Sequence, residues 1–305
     1  MDIFVQQIIN GLVLGSIYAL VALGYTMVYG IMGLINFAHG EVVMIGAMVA
    51  LFTLKALAGL PPVVSIPLAL IAAAAVCMAV GFTIERVAYR PLRRAPKLAP
   101  LITAIGISII LQHLAMLIWG RNYHSFPAIL PTSEHDIFGA TITSLQVAIV
   151  IIAAVMMVGL TLLVQRTRLG RAMRATSENP PIAQLMGVNI NQIISATFVI
   201  GSALAAVAGL MVSANYSIAH YYMGFMLGLK AFTAAVLGGI GNLAGAMLGG
   251  ILLGIIESLG AGYIGDLTGG FLGSHYQDIF AFFVLIGVLI FRPSGLIGER
   301  LAERA

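Results

Sequence analysis

Residues 143–174, TSLQVAIVIIAAVMMVGLTLLVQRTRLGRAMR, decide the fold class of this chain. From Thr143 to Gln165 the stretch holds no charged side chain, and it is longer than the ~20 residues that a helix needs to cross ~30 Å of hydrocarbon. Arginines follow at once, at positions 166, 168, 171 and 174. The stretch is therefore a membrane span with positive charge at its C-terminal end.

The rest of the chain has the same composition. Its 305 residues are only 9% charged, whereas about a quarter of the residues in a soluble domain are charged, and the mean hydropathy is +1.05. We predict an all-α integral membrane protein, a single polytopic helical bundle over residues 1–305 with about eight transmembrane helices, between seven and nine. The apolar runs lie near 5–30, 36–57, 63–87, 98–119, 143–165, 191–214, 224–240, 242–261 and 277–292.

Basic residues predict the orientation, because the loops that stay inside the cell carry an excess of lysine and arginine. They place the C-terminus and the loop 166–190 in the cytoplasm, and the N-terminus and the polar loop 120–142 outside. The net charge of +4 thus reflects topology and indicates no nucleic-acid partner. The basic positions are Arg86, Arg90, Arg93, Arg94, Lys97, Arg166, Arg168, Arg171, Arg174, Arg292, Arg300 and Arg304.

The region 224–261 leaves two interpretations open. Its first run is short, contains glycine and includes Lys230, so the region forms either two spans or a re-entrant hairpin. Gly241, Gly245 and Gly249 are spaced by four residues, which lets membrane helices approach closely. Close packing inside this chain is favoured over a dimer contact.

Two distant segments are similar to each other. QIINGLVLGSIYALVALG begins at Gln7, and QIISATFVIGSALAAVAG begins at Gln192. By the charge pattern, the first segment crosses the membrane from outside to inside and the second from inside to outside, as an inverted-topology repeat requires. Chance similarity between two apolar segments is the alternative.

The cytoplasmic loop contains signals for one short helix. Asn179 is a good N-cap, Pro180 suits the first helical position, and Gly187 suits the position just after the helix. Because a helix of about two turns is far too short to be stable alone in water, it needs a surface to pack against. That surface is either the protein's own helix ends or a partner.

Ionisable groups in apolar segments are costly, so each is a candidate for the translocation path or a gate. His39 and Glu41 lie with Asn36 in NFAHGE, where glycines suggest a broken helix near the cytoplasmic side. Lys230 is expected to reach the outer interface. Glu257 is a candidate partner for an ion pair with Lys230, although the sequence does not require this pair. His113 is expected to form a hydrogen-bonded core pair with Gln112. We predict no catalytic residues and no metal site.

Several stretches resemble the permease subunits of ATP-binding-cassette importers for branched-chain amino acids, above all the shorter, LivH-type permease. These are RLGRAMRATSENPPIAQLMGVN from Arg168, NGLVLGSIYALVALGYTMVYGIMGLINFAHGEVVMIGA from Asn10, IERVAYRPLR from Ile84, ITAIGISIILQ from Ile102 and KAFTAAVLGGIGNLAGAMLGGILLGIIESL from Lys230. The resemblance implies that the loop 166–190 is a coupling loop whose helix docks on an ATPase, with Arg171, Arg174 and Glu178 at the polar rim.

The resemblance also implies the partners: a second, LivM-like permease, two cytoplasmic ATPases, an external substrate-binding protein and the bacterial inner membrane. ATP and Mg²⁺ would be bound by the ATPases, since this chain has no G-x-x-x-x-G-K-[ST] phosphate loop and no cofactor of its own is expected. The chain is not expected to be an enzyme. A related permease for urea, short amides or other amino acids is the first alternative, and an ion-coupled carrier using Glu41 or Glu257 the second.

Overall fold

The computed structural model describes residues 2–93, 95–96, 98–130, 133–137, 139–269 and 276–298. Arg94, Lys97, Arg300 and Arg304 of the predicted basic clusters lie outside these residues. The helices are α1 (Asp2–Met32), α2 (His39–Ala56), α3 (Pro62–Ile84), α4 (Arg90–Leu92), α5 (Leu98–Trp119), α6 (Ser144–Arg166), α7 (Arg168–Glu178), α8 (Pro180–Leu185), α9 (Ile190–Tyr216), α10 (Met223–Gly238), α11 (Leu243–Leu267) and α12 (Gln277–Phe291), and a π-helical turn (Glu85–Tyr89) joins α3 to α4.

The helices confirm the prediction of a polytopic bundle. Within the described residues, α1, α2, α3, α5, α6, α9 and α11 are long and apolar enough to cross a membrane. Two further apolar helices, α10 and α12, have 16 and 15 residues, so each extends only about 22–24 Å at 1.5 Å per residue. Every apolar run of the sequence therefore contains a helix, and α10 and α12 are the shortest of these helices.

The predicted external loop forms two small sheets that were not predicted. Strand β2 (Glu134–Ile137) pairs antiparallel with β3 (Ala140–Thr143), and β1 (His124–Ser125) pairs with β4 (Ile218–Ala219). Gln6 fixes the hairpin to α1, since its side chain accepts a hydrogen bond from the Thr141 N–H and donates one to the Thr141 carbonyl. We refer to this end of the bundle as the hairpin end, and to the end at which α3 and α6 terminate as the arginine-rich end.

The packing has the pattern of an inverted repeat. Helix α1 packs along α11, and α9 packs along α3, while α2 lies on α3 and α10 lies on α11. Exchanging α1–α2–α3 with α9–α10–α11 leaves this set of contacts unchanged. The backbones of Gly40 and Gly224, at the starts of α2 and α10, touch so closely that a Cβ atom on either would overlap the other. The structure thus supports the repeat that the segments from Gln7 and Gln192 suggested.

The glycines of α11 allow close packing inside the chain, as predicted. Gly250 and Gly254 lie against Ala19 and Gly15 of α1 without room for a Cβ atom, and Gly249 lies against the backbone of α10. Small residues at such positions let helix backbones approach, which is how membrane helices gain packing energy.

The region 224–261 is a short helix followed by a full span. After α9 the chain turns at Ser217, forms β4 at the hairpin end, and returns into the bundle, where α10 begins beside Gly40. Gly239 and Gly241 have φ values of +108° and +98° and form the turn into α11. Helix α10 therefore starts inside the bundle, as in a re-entrant hairpin, whereas α11 is long enough to be a span of its own.

Candidate functional site

The first turns of α2 and α10 enclose a buried carboxylate. Glu41 is 0% exposed, and its Oε1 accepts hydrogen bonds from Gln112 Nε2 at 2.6 Å and Ser108 Oγ at 3.2 Å. Its Oε2 has no hydrogen-bond partner among the described residues and faces the backbone at Gly224. Because a helix N-terminus carries a partial positive charge, the starts of α2 and α10 stabilise negative charge at this point.

Asn36 and His39 belong to the same region. The Asn36 side chain accepts hydrogen bonds from the Tyr89 hydroxyl and from the Ala38 N–H, both at 3.2 Å, and so holds the break between α1 and α2. The buried His39 ring meets Tyr25 edge-on at 5.1 Å, and its Nε2 has no hydrogen-bond partner among the described residues. Orphan polar atoms of this kind are rare in folded proteins and call for a functional explanation.

The depth of this cluster corrects the sequence interpretation. The His39 ring lies against Gly201 of α9, which is 11 residues from the first residue of that helix and 15 from the last. At 1.5 Å per residue these separations are about 16 Å and 22 Å. The His39 ring therefore lies near the middle of the bundle, deeper than a turn at the cytoplasmic surface would place it.

Lys230 and Glu257 form a separate buried network. Lys230 Nζ lies 2.6 Å from Glu257 Oε1 and 2.6 Å from Asp278 Oδ1, and the Tyr18 hydroxyl donates to Glu257 Oε2 at 3.0 Å. Lys230 is 7% exposed and Glu257 0% exposed. The expectation that Lys230 reaches the outer interface is wrong, because a lysine with two carboxylates within reach is more stable inside the bundle.

His113 also differs from its prediction. Its neighbour Gln112 is buried and bonds to Glu41, but His113 is exposed, and its side chain shares a hydrogen bond with the Ile109 carbonyl, one turn earlier. Adjacent helix residues point about 100° apart, so they do not form one core pair.

The predicted coupling loop contains two helices instead of one. The unpredicted α7 is capped by Thr167, whose hydroxyl accepts from the Gly170 N–H at 3.0 Å. It buries Met173 and Thr176 and exposes Arg171, Arg174 and Glu178. The Arg174 guanidinium donates to the Val164 carbonyl at the end of α6. This contact holds α7 against the bundle, a role for Arg174 that the sequence did not indicate.

The predicted short helix is present as α8 with both predicted caps. Asn179 Oδ1 accepts from the Ile182 N–H at 3.1 Å, and Pro180 occupies the first helical position. At the other end, Gly187 has a φ of +85°, and the N–H groups of Gly187 and Val188 donate to the carbonyls of Gln184 and Ala183. These two bonds form a Schellman motif, which ends the helix after two short turns.

Helix α8 presents an apolar surface to solvent. Of its residues only Ala183 is buried, whereas Ile182 and Leu185 are exposed, as is Met186 directly after the helix. Leu185 and Met186 are 86% and 80% exposed. Exposed apolar side chains grouped on a polar end of a protein are typical of a docking surface.

A buried ion cluster connects the end of α3 to α9, and sequence reasoning missed it. The Glu85 carboxylate is 0% exposed and accepts hydrogen bonds from Arg90, Arg93 and Ser195 of α9. The clue in the sequence was Glu85 inside an arginine-rich segment, since a lone carboxylate among guanidiniums is expected to pair with them. Among the described residues no group of three or more His, Cys, Asp or Glu could hold a metal ion.

The chain is thus a polytopic helical bundle with buried polar clusters inside an inverted repeat and a capped, exposed helix at its arginine-rich end. The sequence matches the family described as "Branched-chain amino acid transport system / permease component" over residues 7–289. The chain belongs to this family.

Full-length relatives agree. The chain is 49% identical to the high-affinity branched-chain amino acid transport system permease protein BraD of Pseudomonas aeruginosa, over 99% of this chain and 98% of BraD. It is 44% identical to the permease protein LivH of Escherichia coli, over 99% of this chain and 97% of LivH. Among solved structures, PsaBC from Streptococcus pneumoniae in complex with Fab has the same fold, with a TM-score of 0.50 and 14% identity over 93% of this chain and 91% of that chain.

Proposed function

We propose that this chain is the membrane-spanning permease subunit of an ATP-binding-cassette importer that carries leucine, isoleucine and valine across the bacterial inner membrane. The names of BraD and LivH support the cargo, because both relatives match nearly the full chain. The arginine-rich end and the C-terminus face the cytoplasm, and the N-terminus and the hairpin end face the binding protein. Transport proceeds by alternating access.

The surface of α8 is the observation that carries the proposal. A helix this short is not stable alone, yet it is capped at both ends and exposes Ile182, Leu185 and Met186. We infer that an ATPase subunit covers this apolar surface and moves it. Arg171 and Glu178, which are exposed and form no ion pair with a described residue, form the polar rim of the contact.

The complete transporter contains two ATPase subunits, a second, LivM-like permease and an external substrate-binding protein. ATP and Mg²⁺ are bound by the ATPases, and this chain acts as a transport subunit rather than as an enzyme. ATP binding closes the ATPases, α8 transmits that motion through α7 and α9, and the path opens toward the binding protein. Hydrolysis then resets the path inward.

The cluster around Glu41 is our proposal for the translocation path. It lies near the middle of the bundle, where α2 and α10 begin, and helix N-termini at that depth suit an anionic group of a cargo. The free Oε2 of Glu41 suits the ammonium group of a zwitterion. Asn36 and His39 position the break that allows the two helices to begin there.

Isolation of a tagged chain from native membranes tests the proposal. We expect ATPase subunits and a second permease to accompany the chain, and ATP hydrolysis to rise when binding protein and leucine are added. If urea or short amides stimulate ATP hydrolysis more than leucine does, the chain is instead a related permease for those compounds. If the chain purifies alone and transports leucine on an ion gradient, the proposal is wrong.

Changing Glu41 to Gln tests the path. The substitution keeps the shape of the side chain but removes the charge that holds an ammonium group, and hydrogen bonds to charged groups contribute about 1.5–3 kcal/mol. We therefore expect ATP-driven uptake to fall about tenfold or more while the ATPases still co-purify. Normal uptake by Glu41→Gln would remove this residue from the path.

A further inference from the structure

An open cavity of about 500 Å³ lies at the arginine-rich end, beside the Glu85 ion cluster. It is bounded on one side by the end of α3 and the π-helical turn, and on the other by the first turns of α9. The cavity thus opens beside the coupling loop, at the end of two membrane helices. π-Helical turns occur frequently at functional sites, because they displace side chains from the regular helical positions.

The cavity is rich in positive charge and in hydrogen-bond donors. Arg86 lines it, is exposed, and forms no hydrogen bond or ion pair with a described residue. Its guanidinium lies over the Phe82 ring, 5.8 Å from the centroid, which keeps it at the cavity wall. Arg90 uses Nε and Nη2 to bond Glu85 and Ser195, so its Nη1 remains available.

The neighbouring carboxylate does not neutralise this charge. Glu85 is fully buried and is shared by Arg90 and Arg93. Together with Arg86, these arginines carry three positive charges against the one negative charge of Glu85. The net local charge is therefore +2. The first turn of α9 lines the same cavity and adds the partial positive charge of a helix start.

The cavity also has an apolar wall. Phe82 and Val199 line it from α3 and α9, and both lie on the membrane side of the arginines along their helices. A small free anion would use the guanidiniums and leave this wall unused. A molecule with a phosphate group attached to hydrocarbon chains would contact both parts.

We propose that this cavity binds the head group of an anionic phospholipid, with Arg86 and Arg90 donating hydrogen bonds to the phosphate and Phe82 and Val199 contacting the acyl chains. Arginine forms strong, directional hydrogen bonds with phosphate, and basic pockets between membrane helices bind anionic head groups. The lipid would connect α3 to α9, the helix that follows the coupling loop directly. The inference does not depend on the transported cargo.

Native mass spectrometry of the full-length purified chain tests the site. Phosphatidylglycerol and phosphatidylcholine with identical acyl chains are added separately, and the retained lipid is counted at each concentration. We expect the wild-type chain to retain one phosphatidylglycerol in preference to phosphatidylcholine. Arg86→Gln should weaken phosphatidylglycerol binding about tenfold, because one charge-assisted hydrogen bond to phosphate is lost, and leave phosphatidylcholine unaffected.

Two variants control the result. Arg166→Gln removes an exposed arginine from the same end of the bundle, outside the cavity, and should bind phosphatidylglycerol like the wild type. Arg86→Lys keeps the charge and should recover most of the binding. Since Arg86 and Arg166 are both exposed, all three variants should keep the wild-type thermal stability. A thermal-unfolding measurement thus distinguishes a loss of lipid binding from a loss of folding.

Three outcomes would overturn the proposal. The first is equal phosphatidylglycerol binding by Arg86→Gln and Arg166→Gln. The second is displacement of the lipid by millimolar inorganic phosphate, which would make free phosphate the ligand. The third is an Arg86→Gln variant that retains lipid normally but co-purifies with less ATPase, which would make the cavity a contact surface for another protein.

Discussion

Replacing Lys230 with methionine is expected to lower the free energy of unfolding by about 3–5 kcal/mol, more than any other single change considered for this protein. The substitution leaves two carboxylates without their shared cation: Glu257, which is 0% exposed, and the partly exposed Asp278. Removing one partner of a buried ion pair is costly because the remaining charge has neither water nor a counter-ion. Thermal unfolding of the purified chain in detergent measures the loss.

A comparison with Glu257→Gln makes this prediction sharper. The glutamine oxygen still accepts a hydrogen bond from Lys230, the glutamine NH2 group can donate to the Tyr18 hydroxyl oxygen, and Asp278 still neutralises Lys230 at 2.6 Å. We expect a smaller loss of about 1–2 kcal/mol and ATP-driven uptake within a few-fold of normal. Complete loss of uptake in an assembled Glu257→Gln transporter would instead identify Glu257 as a coupling group.

Lys55→Met is the matched control for the lysine. Lys55 is exposed at the end of α2, with its ammonium group 5.5 Å from the Phe52 ring centroid, and its removal should change stability by less than about 1 kcal/mol. If Lys230→Met is no more destabilising than Lys55→Met, the buried ion pair does not stabilise the bundle.

Gly187→Pro is expected to abolish ATP-driven uptake while the chain still inserts into the membrane. Gly187 has a φ of +85° and its N–H donates to the Gln184 carbonyl, whereas proline has a φ near −65° and no N–H. The Schellman motif cannot form, so α8 loses its C-terminal end and its exposed Leu185 and Met186 change position. We expect ATPase co-purification to fall about tenfold or more, since the docking surface is lost.

Gly187→Asn separates the cap from the glycine itself. Asparagine adopts the left-handed conformation more readily than other residues with a side chain, and nothing lies within 4 Å of a Cβ atom at this position. It should retain most of the ATPase association that Gly187→Pro loses. Normal co-purification with Gly187→Pro would show that the end of α8 does not matter for docking.

Local features were predicted well. The apolar runs and the Asn179 and Gly187 caps all appear in the structure, because each depends on residues within a few positions of one another. The strands at the hairpin end and α7 were missed. The strands are two to four residues long, and α7 has a polar, arginine-rich sequence whose apolar face becomes evident only against α6 and α9.

The candidate site was predicted only in part. Glu41, Lys230 and Glu257 were identified because charges in apolar segments are few, but their surroundings were not. Their contacts with Gln112, Asp278 and Tyr18 join residues 48 to 239 positions apart, and no local pattern encodes such pairs. Glu85 was overlooked although its place among the arginines indicated pairing, because its burial depends on Ser195 of the distant α9.

The sequence by itself determined that this protein is a helical membrane bundle with a capped helix at its arginine-rich end, because hydrocarbon leaves an apolar segment few structures other than a helix. Only the tertiary structure decided where the charges lie. Helices α2 and α10 begin inside the bundle because Gly40 and Gly224 allow their backbones to touch, and this contact between distant residues sets the depth of Glu41. Whether Lys230 reaches the interface or pairs inside depended on the position of Glu257 and Asp278 on other helices.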